Sequence, residues 1–301
     1  MKQMNRRYFI KSGAIGFAGI TILPQGLAGC KSVYKQDTFV DKVKLGNSGL
    51  TVSRIALGTG TKTTSNRSSA QTRLGMDGFF KLAHHAYEQG IRFFDTAETY
   101  GSIPFAGEVI KTLPRENLTL LTKMWTQEER PDRPVMESAI TGTIDRFRQE
   151  LNTDYIDILL MHCMLGPGWE TSRARYMDVF SKAKQDGILK AVGVSCHSID
   201  ALREATVSPW VDVIMARINP FGTSMDGATP EETKNILATA KNNGKGVIGM
   251  KIFGEGANVK DEEREQTIHF ALHEANVHCM TLGFETIEQM DDAIEKVMKY
   301  A

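Results

Sequence analysis

Strand-like and helix-like segments alternate eight times along this chain, and that rhythm leaves few architectures open. Apolar strand-like runs fall at 54–57, 91–95, 118–123, 155–161, 189–195, 211–216, 246–252 and 277–282. Helical patterns follow at 79–89, 106–113, 133–151, 173–186, 199–207, 230–242, 261–275 and 287–299, with Ser198 at an N-cap position. The strands are apolar on both faces, as buried parallel strands must be. This pattern predicts an α/β fold of the closed (β/α)8 TIM-barrel type. Ahead of it, short β-like runs at 43–45 and 51–57 flank Asn47-Ser48-Gly49, which predicts a hairpin plugging the barrel bottom. A doubly wound sheet that binds a dinucleotide usually carries G-x-G-x-x-G after its first strand. Gly58-Thr59-Gly60 lacks the third glycine, so the barrel is preferred.

On such a barrel, chemistry sits where strands end at the C-terminal rim. Asp95 closes the second barrel strand, and Tyr100 lies five residues on in its loop. Lys123 closes the third and His162 the fourth, so the four residues converge although they are distant in sequence. A tyrosine titrates near ~10 and needs help to move protons at neutral pH. A buried lysine beside it stabilises phenolate, and that lysine needs a carboxylate because an unpaired buried charge is costly. A neutral histidine can orient a carbonyl oxygen. Tyr100 as acid/base, Lys123 as tuner, Asp95 as anchor and His162 as orienter therefore suit proton delivery to a carbonyl receiving a hydride. A hydrolase or isomerase with paired carboxylates would need a second strand-end acid near Asp95, and none is present. Trp125 and Trp169, on rim loops, are candidates for shaping a sugar or aromatic substrate pocket, with packing as the other reading.

The first thirty residues read differently from the rest. Asn5-Arg6-Arg7-Tyr8-Phe9-Ile10-Lys11 precedes a glycine-rich apolar run, which closes with Leu27-Ala28-Gly29-Cys30. Charged region, apolar run and small-residue site in that order describe a secretory signal. The paired arginines resemble a twin-arginine export signal. Leu-Ala-Gly-Cys resembles a lipobox, which makes Cys30 the expected lipidated residue. The expected organisation is signal peptide 1–30, tether 31–41 and barrel 42–301. The product is then an exported, membrane-anchored lipoprotein, with the export machinery and the membrane as partners. Removing the four basic residues of the signal leaves 32 basic against 36 acidic, net −4, and no basic stripe for nucleic acid. Cys163, Cys196 and Cys279 form no CxxC and predict neither a disulfide framework nor a structural zinc site. No metal is expected, and Cys163 and Cys279 read as small buried hydrophobes.

The set Asp95-Thr96-Ala97-Glu98-Thr99-Tyr100-Gly101, the strand-end Lys123 and the strand-end His162 resembles the aldo-keto reductase family, over about residues 43–297. The resemblance implies hydride transfer between NAD(H) or NADP(H) and an aldehyde, ketone or sugar carbonyl. It places the cofactor across the rim at the last strands, touching Thr59, Gly60, Ser195, Cys196, Lys251, Gly254, Gly256, Gly283, Glu285 and Gln289. Close glycines in Lys251-Ile252-Phe253-Gly254-Glu255-Gly256 let backbone N–H groups approach an anion. Gly283–Gln289 opens the last helix, whose N-terminus favours phosphate. Glu285 stands near the family's basic pair for the NADP 2′-phosphate, which tips the expectation toward NAD(H). Three family positions depart: Cys196 for asparagine, Met215 for glutamine, and Ile218 for the aromatic that stacks on nicotinamide. Those departures leave open a ligand-binding barrel without redox turnover. Nicotinamide cofactor is expected to be scarce outside the cytoplasm, so a cofactor loaded before export and tightly retained is expected.

Overall fold

A computed structural model describes residues 40–60 and 69–301, with only the backbone for 69–73. The export signal, Cys30 and most of the tether lie outside the described residues.

The chain opens with β1 (Lys42–Lys44) and β2 (Thr51–Ser53), an antiparallel pair joined by a short turn. Eight parallel strands then close a barrel: β3 (Ile55–Gly58), β4 (Phe93–Asp95), β5 (Thr119–Trp125), β6 (Ile156–Met164), β7 (Leu189–Cys196), β8 (Val213–Arg217), β9 (Gly246–Met250) and β10 (Cys279–Leu282). β10 pairs with β3, so no barrel edge is left open. Around it lie α1 (Ser69–Glu88), α2 (Ile103–Ile110), α3 (Glu137–Glu150), the one-turn α4 (Trp169–Ser172), α5 (Ala174–Gln185), α6 (Ile199–Val207), α7 (Pro230–Asn242), α8 (Asp261–His273) and α9 (Ile287–Tyr300).

Most boundaries follow the sequence pattern, and α6 and α7 coincide with it. α3 begins four residues later than expected, because Pro134 and an Arg130–Arg133 bridge hold the preceding chain in a turn. α1 begins earlier than expected and breaks at Gly75, which has φ 62°. Ser198 stands at the N-cap of α6 without a capping side-chain bond, whereas Thr229 and Thr286 cap α7 and α9. On α9, Met290, Ala293, Ile294 and Val297 recur at helical spacing and are buried.

The alternation of side chains along a strand divides the core in two. Ala56, Phe93, Leu121, Ile158, Leu160, Ala191, Val213, Met215, Ile248, Met250 and Cys279 fill the interior. Leu57, Phe94, Leu120, Leu159, Met161, Val194, Ile214, Met280 and Leu282 face the helices. Leu45 and Val52 of the hairpin join the interior set, and Asn47 N–H donates to the Gly244 carbonyl at 2.8 Å. The hairpin thus stops the barrel bottom, so the top alone remains for chemistry.

Packing in the interior is close enough to restrict residue size. A Cβ on Gly193 of β7 would lie 1.8 Å from the Val213 carbonyl oxygen on β8, a backbone atom that cannot step aside. Gly193→Ala is expected to cost about 3 kcal/mol, the upper end for overpacking. A urea midpoint within error of the wild type would contradict this packing.

Candidate active site

The same alternation decides which polar residues meet. Counting by twos from the interior residues brings Asp95 above Phe93, Lys123 above Leu121, His162 above Leu160, Ser195 above Gly193, Arg217 above Met215, and Thr281 above Cys279. They form the top layer of the barrel.

Lys123 is 1% exposed, and its ammonium donates to Asp95 Oδ1 and, at 3.0 Å, to the Thr96 carbonyl. Asp95 is buried too. Its Oδ2 accepts from Thr281 Oγ1 at 2.8 Å, and its carbonyl accepts from Thr59 N–H and Oγ1 at 3.0 and 2.8 Å. Lys123 Nζ stands 4.9 Å from the centre of the Tyr100 ring. Burial would push Lys123 down, yet Asp95 and Tyr100 hold it above its ordinary value. Burial also pushes the Tyr100 phenol up, and the pull of Lys123 offsets this only in part. Lys123 pulls the tyrosine down as its sequence position implies, but desolvation is the larger effect. Tyr100 therefore rests as a protonated phenol, the form a proton donor requires.

His162 faces Tyr100 and Trp125 edge to face, with ring centres 5.7 and 5.9 Å away. Burial first, then Lys123, His197 and Lys251, hold its pKa well below the ordinary value, so its imidazole is neutral. Gly60 is required here by close packing: a Cβ would lie 2.3 Å from the Tyr100 ring.

A cavity of about 850 Å³ runs from Asp95 and Tyr100 toward α8 and α9. Met215 and Met250 border its inner end, Phe253, Val259 and Phe284 line it, and Glu285, Glu288, Gln289 and Asp292 stand farther out. Of the expected cofactor residues, Gly60, Lys251, Gly256, Gly283, Glu285 and Gln289 border this cavity. The others do other work. Thr59 is fully buried, bracing Asp95 and touching the Ser102 hydroxyl at 2.7 Å. Ser195 is buried and accepts from Cys163 N–H at 3.0 Å. Cys196 is out of phase with Ser195 and packs in the outer core, as does Ile218. Gly254 is buried, turning beside Thr223 and Asn258 with φ 57°.

The two tryptophans also part. Trp125 is 49% exposed at the rim, its backbone N–H donating to Glu98 Oε2 at 2.9 Å. Trp169 is 1% exposed, packs near Trp210 and donates to the Ala201 carbonyl; it is core, not pocket. Cys279 is buried as expected, but Cys163 is only partly buried and stands at the rim. A shift of register in β6 between Met161 and Met164, with Cys163 at φ 62°, frees it from the alternation.

Several functional neighbours escaped the sequence reading. Thr281 and Arg217 were findable by counting twos along β10 and β8. Arg217 pairs with Asp226 at 2.9 Å and Lys251 with Glu255 at 2.7 Å, so both rim cations have a carboxylate, as Lys123 has Asp95. Lys251 and Glu255 both take φ 57°, a strained conformation that such sites concentrate. Among the described residues, His162, Cys163 and His197 bring one potential ligand atom each within 4.8 Å of the others.

Comparison with known proteins finds relatives of the chain and of its fold. Methylglyoxal reductase DkgB of Escherichia coli O157:H7 is 26% identical over 193 residues, covering 63% of this chain and 67% of that protein. The NADH-specific methylglyoxal reductase of Escherichia coli K12 is 28% identical over 203 residues, covering 62% and 61%. An aldo-keto reductase from Bacillus halodurans in its holo form superposes with a TM-score of 0.67 at 17% identity, over 86% of this chain and 91% of that one. The model of the aldo/keto reductase family matches residues 54–301, and the chain belongs to that family.

Proposed function

We propose that the protein is an exported, nicotinamide-dependent oxidoreductase that interconverts a small carbonyl and its alcohol, with Tyr100 as general acid/base. One observation carries the reading: a buried Lys123, anchored by Asp95, lies against the Tyr100 ring. In the direction of reduction, Tyr100 gives its proton to the carbonyl oxygen, and Lys123 stabilises the phenolate that remains. Asp95 and Thr281 keep Lys123 in place, and neutral His162 orients the carbonyl. A bound nicotinamide would supply the hydride.

The cavity suits such a cofactor in shape and lining. Gly60, Gly256 and Gly283 leave its wall open, and Phe253 and Phe284 give it apolar faces. At its far end Arg264 is held by Asp292 at 2.8 Å and Asp261 at 3.0 Å, with Glu285 and Glu288 nearby. That acidic end supports NAD(H) over NADP(H), whose extra phosphate it would repel. The NADH-specific relative points the same way. Outward-facing Cys196 and apolar Met215 favour a second reading, a barrel that binds ligand without turnover.

Titration of nucleotide-stripped protein by tryptophan fluorescence separates the two. NADH is expected to bind at least about tenfold (~1.4 kcal/mol) more tightly than NADPH. Tyr100→Phe is expected to keep that binding and lose roughly 10²- to 10⁴-fold in turnover. Absence of any response to either nucleotide in the wild type would leave only the ligand-binding barrel.

Export and anchoring rest on the paired arginines and the lipobox ending at Cys30. Among the described residues no helix is long and apolar enough to cross a membrane. Cys30→Ala is expected to move the protein from the membrane to the soluble extracytoplasmic fraction. The native protein is expected to carry retained nucleotide detectable by mass spectrometry after mild release. An unchanged membrane fraction would defeat the first expectation, and a nucleotide-free protein the second.

The rim histidines also make stability depend on pH. His162 is held neutral by burial and neighbouring cations, and His197 is lowered to about 3. Below the unfolded value near ~6.5 the unfolded chain takes up protons that the folded one refuses. Stability is therefore expected to fall as pH drops from 6.5 to 5, by up to about 1.4 kcal/mol per unit for each histidine. Urea unfolding of wild type and a His162→Gln/His197→Gln double variant checks this. Identical slopes would show that these two residues are not the cause.

A further inference from the structure

A proton donor depends on its placement, and Tyr100 belongs to no barrel strand. It ends a single 3-10 turn, Glu98–Tyr100, that follows β4. One backbone bond closes the turn, from Tyr100 N–H to the Ala97 carbonyl at 3.0 Å, and no side chain caps its start. Such a turn is a weak element by itself, because its hydrogen-bond geometry is poor. Lys123, by contrast, is fixed inside β5, opposite Leu160 of β6. The spacing of phenol and ammonium therefore depends on what ties the turn to β5.

Glu98 makes that tie. Its Oε2 accepts the backbone N–H of Trp125 at 2.9 Å, two residues beyond Lys123 on the same strand. Its Oε1 is held by the Arg146 guanidinium of α3, and Arg146 NH1 reaches Glu150 one helical turn on at 3.4 Å. Each carboxylate oxygen thus has its own partner, one on a strand end and one on a helix. Both side chains of the Glu98–Arg146 pair are partly exposed, so as an ion pair it adds little to stability. After burial, the charges that weigh most on the Tyr100 phenol are those of Lys123 and Asp95. Glu98 therefore acts on the tyrosine by placement and not by its field. The residue between them, Thr99, lies with its hydroxyl 3.5 Å from His162 Nδ1, so the same turn faces both proposed partners of the carbonyl oxygen.

We propose that Glu98, oriented by Arg146, is a positioning residue that sets the distance between the Tyr100 phenol and the Lys123 ammonium. That role rests on reading Tyr100 as the general acid/base, and a spectroscopic signal tests it without turnover.

The mature protein is labelled with tyrosine carrying ¹³C at Cζ, and the Tyr100 resonance is identified by its loss in Tyr100→Phe. Glu98→Ala is expected to move that resonance and leave those of the other tyrosines in place. It is also expected to lower kcat about 10- to 100-fold with KM within about threefold of the wild type, as a misplaced catalytic group would. Glu98→Gln keeps an oxygen for the Trp125 N–H and is expected to restore most of both. Arg146→Ala is expected to move the resonance in the same direction by less, with a roughly 3- to 10-fold loss in kcat. Should Glu98→Ala fail to fold, Arg146→Ala decides. A role in stability alone would lower the melting temperature and leave the Tyr100 resonance and the kcat of folded protein unchanged, which would overturn the proposal. So would Glu98→Gln as impaired as Glu98→Ala, or a rise in KM at unchanged kcat. A displaced resonance in a protein that turns over no carbonyl would sustain the positioning and sink the reductase reading.

Discussion

The buried ion pair between Lys123 and Asp95 is the constraint on which the top of the barrel depends. Neither charge is tolerable alone, since removing one partner from such a pair typically costs about 3–5 kcal/mol. The surroundings are therefore organised to satisfy both. Thr281 reaches across from β10 to Asp95, Thr59 from β3 holds its carbonyl, and the Thr96 carbonyl takes a second Lys123 proton. Four strands are committed to one pair. Burial dominates at Tyr100 and the pair modulates it, while Lys123 adds to the burial that keeps His162 neutral. Stability and chemistry share these contacts.

The fold was legible because periodicity and order are carried by many residues at once. Eight apolar runs separated by helical patterns survive boundary errors of four residues at α3 and ten at α1. The four candidate residues were legible for a related reason: Asp95, Lys123 and His162 lie toward strand ends, and Tyr100 sits in the loop that follows Asp95. Trp169, Thr59 and Cys196 were misplaced because direction is a finer property than position. Trp169 lies in a rim loop by sequence yet points into the core beside Trp210. Cys196 is one residue beyond an inward-facing serine, and in a strand one residue reverses the face.

Cys163 was hidden for the opposite reason. By alternation it should turn away from the mouth, and the change of register in β6 cancels that rule. His162 and Cys163 thus both reach the rim from consecutive positions. The contact of Arg217, which ends β8, with Nδ1 of His197, just after β7, joins neighbouring strand ends and leaves no periodic trace, so only the folded chain reveals it.

The pairing of Lys123, Arg217 and Lys251, each with its own carboxylate, has a consequence for encounter as well as binding. Matched charges a few ångströms apart produce a field that decays quickly and that salt hardly alters. Lys123, Arg217 and Lys251 therefore contribute little long-range guidance to an approaching charged molecule. Their share in the rate of encounter stays nearly constant as ionic strength varies.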